Sequence, residues 1–227
     1  MTNPVPRSKG AMLFMAAPII FGALLFGAVG LLVFLVWMGS TADGERVQMQ
    51  FSGECMEKAR PIIEKRMETI GLGEVIVSQS ETSLSVTATL PDIENAKNSI
   101  PQLMAQRGIL GVRTDTEWLF QELEVLSASI EQDESGMPYT KVVLEETARK
   151  RLEVEVQKHS SGFLYFYLDG NEIVKRPNHN LIRSDELRLR SIVGGKREQM
   201  RVTVDWSILL EHGPIPCNVA LKKIVSM

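Results

Sequence analysis

An α+β fold on a single N-terminal membrane anchor is what this 227-residue sequence predicts, and three observations lead there. One is a run without charge from Ala11 to Met38, where about 20 apolar residues suffice to cross a bilayer core. Another is the mixture of strand-period and helix-period segments that follows residue 43. The last is a globular composition, 44% hydrophobic and 23% charged, which argues against wholesale disorder and against a polytopic transporter. A net charge of -3 leaves no surplus of Lys and Arg for a run of phosphates, so no nucleic acid is expected as a partner.

The anchor competes with a cleaved signal peptide, since Ser40-Thr41-Ala42 faintly resembles a small-residue cleavage site. A signal-peptide apolar region is about 7 to 15 residues long, and this run exceeds it. Arg7 and Lys9 precede the run without an acid, while Asp43 and Glu45 follow it beside Arg46. The positive-inside rule then keeps residues 1–10 in the cytoplasm and passes residues 11–38 through the lipid, with everything later on the far side. In an oxidising compartment Cys55 and Cys217 are candidates for a disulfide, and two buried free thiols are the alternative.

After the anchor, Val47, Met49 and Phe51 alternate with Gln48 and Gln50 as a strand does. Met56, Ala59, Ile63, Met67 and Ile70 recur at helical spacing and Gly71 stops the helix, although Pro61 predicts a start near Arg60 or a kink. A hairpin follows, its second strand placing Leu84, Val86, Ala88 and Leu90 on one face. Asp92 caps a helix carrying Ile93, Ala96, Ile100, Leu103 and Met104, and Ile109–Arg113 reads as the next strand. Strand, helix, strand, strand, helix, strand over Val47–Arg113 is the split β-α-β order of a ferredoxin-like sheet, an architecture that by itself names no function.

A second, smaller α+β unit begins after Glu124, with strands near Leu126–Glu131 and Thr140–Leu144 and a charged helix from Glu145 to Lys158. In the segment GFLYFYLDGNEIVKRP, Asp169-Gly170 marks a tight hairpin. Phe163, Tyr165 and Tyr167 share one face of its first strand, with Leu164, Phe166 and Leu168 on the other, and both faces are expected to be covered. The aromatic row is the candidate polypeptide-binding surface, against the plainer reading that its rings cover a neighbouring helix.

Chemistry-bearing motifs are missing from the sequence. His159, His179 and His212 are scattered, and neither a nucleophile elbow, a phosphate loop nor a paired metal-ligand spacing occurs. The expectation is a protein that is not an enzyme and needs no cofactor or metal.

The order of segments is more informative. ARPIIEKRMETIGLGEVIVSQSETSLSVTATLPDIENAK, running on to IPQLMAQRGILGVRT, resembles the first periplasmic domain of SecD, an auxiliary subunit of the bacterial Sec translocase. Arg66 to Gly71, Leu90-Pro91 and Gly111 to Arg113 stand at the family's helix ending, turn and strand. Val142–Leu144, Thr147–Lys158 and Leu168-Asp169-Gly170 resemble that domain's inserted head, and Gly213 with Pro216 the turn that returns to the base.

The resemblance implies a ferredoxin-like base (43–120 and 201–227) with an inserted smaller α+β head (121–200), on the inner membrane of a bacterium with the module in the periplasm. Glu122, Gly194 and Gly195 are then the hinge candidates. Implied partners are the lipid bilayer, a SecF-like or other multi-span protein, and unfolded exported polypeptide. The family's Asp-Leu-x-Gly-Gly stretch is replaced here by ADGERVQMQFSGE, and its further membrane helices do not follow Met227. A lone span without protonatable groups offers no proton path, so the expected role is an accessory factor in protein export. An envelope scaffold for a folded partner is the alternative.

Overall fold

The computed structural model describes residues 44–91, 96–158, 162–177 and 186–227. The expected cytoplasmic segment 1–10, the expected anchor 11–38, Asp92 as a cap, and His159 and His179 lie outside the described residues. Among those described, no helix is long and apolar enough to cross a membrane.

The first sheet is fully antiparallel. It joins β1 (Glu45–Ser52), β2 (Gly73–Gln79), β3 (Ser83–Leu90) and the late strand β11 (Ala220–Ser226) in the order β11-β1-β3-β2. Val47, Met49 and Phe51 of β1 and Leu84, Val86 and Ala88 of β3 are wholly buried, as their period of two dictates. Helix α1 (Met56–Ile70) lays Met56, Ala59, Ile63 and Met67 into the core. It begins ahead of Pro61 and runs through it, so of the two expected outcomes, a start near Arg60 or a kink, the first is corrected. Gly71, at φ 72°, closes α1 with main-chain bonds to the carbonyls of Glu68 and Met67.

The strand expected to complete this sheet lies elsewhere. β4 (Leu110–Arg113) follows α2 (Ala96–Ala105) and pairs with β5 (Trp118–Phe120) and β8 (Phe163–Leu168). With β9 (Asn171–Pro177) these form a second sheet, ordered β5-β4-β8-β9. The fourth place in the first sheet is taken by β11, which still gives the ferredoxin-like strand order. Alternation reveals which faces of a strand are buried and is silent about its neighbour, so β4 could be read as a strand and assigned to the wrong sheet. The expected boundary at residue 120 thus falls inside the second sheet, with β4 and β5 before it and β8 and β9 after.

A third sheet, β10-β7-β6, contains β6 (Val125–Gln132), β7 (Pro138–Leu144) and β10 (Glu186–Leu189). Helix α3 (Glu146–Lys158) buries Ala148, Leu152 and Val156 at four-residue spacing and ties its outer face with Lys150–Glu146 and Arg149–Glu153 pairs. Helix α4 (Lys196–Glu211) packs on β6 and β7, where the Thr140 hydroxyl donates to the Thr203 carbonyl at 3.1 Å. One continuous apolar core runs through all three sheets.

Candidate functional site

The two faces of β8 differ. Leu164 and Phe166 are fully buried and Leu168 nearly so, against Leu110 and Val112 of β4 and Val174 of β9. Phe163, Tyr165 and Tyr167 point the other way: Phe163 is 40% exposed and the two tyrosines are half-buried. The expectation that both faces are covered is therefore corrected: this face of β8 is partly open, and among the described residues the contacts to its rings come from Trp118, Lys175 and Asp115.

Those side chains organise the row. Tyr167 lies opposite Gly111 on β4, and a Cβ added to Gly111 would come within 2.9 Å of the Trp118 ring. The missing side chain lets the Trp118 indole lie across β4 and reach Tyr167, ring centroids 4.8 Å apart and tilted by 53°. At the other end the Lys175 ammonium sits 4.2 Å from the Phe163 ring centre and 5.0 Å from that of Tyr165. The Tyr165 hydroxyl donates to Asp115 at 2.6 Å, which holds the Asp115 carboxyl below its ordinary range.

Below Trp118 and Tyr167 the row opens into a cleft of about 610 Å³, whose polar wall includes Gln106, Arg107, Gln121 and Asp169. Its floor is rigid. Asp169, at φ 51°, starts the β8–β9 turn, and its carboxylate accepts from the amides of Gly108 (3.0 Å) and Ile109 (2.8 Å). Beneath that turn the fully buried Arg66 guanidinium donates to the carbonyls of Gln106, Arg107 and Gly213. Burial brings the Arg66 pKa down to about 10 against the attraction of Asp169. Gly108, at φ 82°, is required here, because a Cβ would lie 2.6 Å from the Leu209 carbonyl oxygen.

Cys55 and Cys217 are joined, their Cα atoms 6.0 Å apart, stapling the start of α1 to the turn before β11. Glu122 is exposed between β5 and β6. Gly194 and Gly195 lead straight into α4, so the chain leaves the third sheet only after Glu211, and the return to the first sheet runs through Gly213. Among the described residues no group of three or more His, Cys, Asp or Glu is placed to hold a metal ion.

Trp118 was not recognisable as a member of the aromatic row, although an isolated Gly in a strand, Gly111, is a known sign of close approach. Arg66 carried a plainer signal. It sits on the apolar stripe of α1 between Ile63 and Ile70, where a cation has to find buried partners.

No protein-family model matches the sequence, and none of the curated proteins matches it. Solved structures do. A SecDF crystal structure in a super-membrane-facing form superposes with a TM-score of 0.66 at 15% identity, over 90% of this chain and 35% of the SecDF chain. A second SecDF structure, described as that of a membrane component that enhances protein export, gives 0.61 at 15% identity, over 79% of this chain and all of the other. This chain thus spans about a third of the length of the first SecDF chain it matches. At that identity the likeness is one of architecture, and the chain has a SecD-like fold.

Proposed function

We propose that this chain is an accessory module of protein export that holds extended, unfolded polypeptide on the outward face of the second sheet. The observation that carries the reading is the row Phe163, Tyr165, Tyr167 and Trp118, which meets solvent and opens into a cleft. Ring surfaces grip many sequences weakly, because every extended chain offers apolar side chains at alternate positions. The polar rim supplies donors and acceptors for a passing main chain. A SecD-like architecture supports the assignment to export. In this reading the apolar run 11–38 anchors the module in a bacterial inner membrane, the module faces an oxidising compartment that suits the Cys55–Cys217 bond, and a multi-span membrane partner supplies the energy.

The test is a binding titration with a permanently unfolded, carboxymethylated polypeptide against the full chain in nanodiscs. Trp118→Ala and Phe163→Ala should each weaken binding several-fold, and Leu126→Ala, exposed on another sheet, should not. Affinity unchanged by both aromatic variants would reject the reading in favour of a scaffold for a folded partner.

A further inference from the structure

The turn between β10 and α4 presents Ile192 and Val193 side by side, 87% and 70% exposed. It is a built turn. Ser191 is buried and its hydroxyl accepts from the Val193 amide at 3.3 Å. Gly194 has φ 76°, a Cβ there would strike the Glu198 side chain at 2.8 Å, and the Gln199 side-chain amide donates to the Gly194 carbonyl at 3.1 Å. A protruding apolar pair held in water by such a frame needs a reason.

The surroundings are cationic. Lys196 and Arg197 open α4, which has no side-chain cap, at the end where the helix dipole disfavours positive charge. The Lys196 ammonium reaches over Gly136 in the β6–β7 turn. Arg188 and Arg190 project from the same region, Arg188 over the Tyr139 ring. Arg176 of β9 is half-buried with Arg188 and Arg190 as its charged neighbours, and that burial and repulsion press its pKa down. Four acids lie among these cations: Asp133 is engaged by Ser135, Met137 and Arg190, Glu186 by Lys141 and Arg188, and Glu198 by Arg201, while Glu134 is exposed in the β6–β7 turn, so Lys196 and Arg197 are the cations that the proposal uses.

We propose that this turn docks on an anionic lipid surface, with Ile192 and Val193 entering the interfacial layer and Lys196 and Arg197 meeting headgroup phosphates. A protein interface of useful affinity buries on the order of 1,000 Å² or more around a packed centre, which a two-residue protrusion does not offer. An apolar tip ringed by cations is enough for interfacial binding, where apolar burial and attraction to anionic lipid add.

The test mixes the full chain, held in phosphatidylcholine nanodiscs, with separate vesicles and measures co-flotation. Vesicles containing phosphatidylglycerol should carry the protein, and pure phosphatidylcholine vesicles should not. Lys196→Glu with Arg197→Glu should lower the partition coefficient by about thirty-fold or more, since each cation near such a surface is worth roughly five-fold. Ile192→Ser with Val193→Ser should lower it comparably, while Leu126→Ser leaves it unchanged; all these side chains are exposed, so the fold is not at stake. Flotation indifferent to phosphatidylglycerol overturns the proposal. So does flotation that follows the cations but ignores Ile192 and Val193, which would mark a bare charge contact open to any acidic partner.

Discussion

The buried guanidinium of Arg66 donates to the main-chain carbonyl of Gly213 at 3.1 Å, joining α1 to the final turn across 147 positions of sequence. The same side chain holds the carbonyls of Gln106 and Arg107, and Asp169 holds the amides of Gly108 and Ile109. The helix ending, the Asp-Gly hairpin and the Gly-x-x-Pro turn, far apart in the chain, therefore meet around one turn. Their common work is structural: they fix the floor of the aromatic cleft.

Replacing Arg66 should be among the most damaging single changes. Arg66→Met leaves three partly buried carbonyls without this donor and should cost roughly 3–5 kcal/mol in urea unfolding. Arg66→Lys should recover only part of this, because one ammonium cannot reproduce the planar fork. A loss below about 1 kcal/mol for Arg66→Met would show that the hub is not where the stability lies.

Gly111→Val should push Trp118 off β4, since even a Cβ falls 2.9 Å from its ring. Overpacking of this kind costs about 1–3 kcal/mol. The near-ultraviolet circular dichroism of the Trp118–Tyr167 pair should weaken, and affinity for unfolded polypeptide should fall with it.

Asp205, on α4, is pushed up to about 6 by burial, against the pull of Arg201. An acid whose folded pKa lies above its unfolded value binds its proton more tightly when folded, so it favours the fold below about 4 and opposes it above about 6. Asp205→Asn should therefore match the parent near pH 4 and gain on it as pH rises to 6, reaching about 1 kcal/mol once solvent screening is allowed for. Parallel stability–pH curves for the two proteins would refute the assignment.

Cys217→Ser, or reduction, removes a link between residues 162 positions apart and should cost about 2–5 kcal/mol. Alkylation followed by mass measurement, with and without reductant, checks that the bond forms; thermal unfolding checks its worth.

Much of this architecture was legible because its signals are local. The alternation of β1 and β3, the Gly71 stop of α1 and the Asp169-Gly170 hairpin each depend on a few adjacent residues. The partner of β4 was not, because pairing is decided by which buried face fits which neighbour. Helix α4 escaped too: Val202-Thr203-Val204 is a β-branched run with low helix propensity, and its helical form rests on packing against β6 and β7. The aromatic row was visible as a row, and its exposure was not, since the period of two is the same whichever face meets water.

The most direct test of the polypeptide-holding face is photo-crosslinking during active export, with a benzophenone amino acid replacing Tyr167 in the full chain and a control probe replacing Ile76 on β2. The account predicts adducts of many sizes to exported chains in transit from position 167 and few from position 76. Adducts from 167 to a single folded envelope protein, with none to chains in transit, would contradict it.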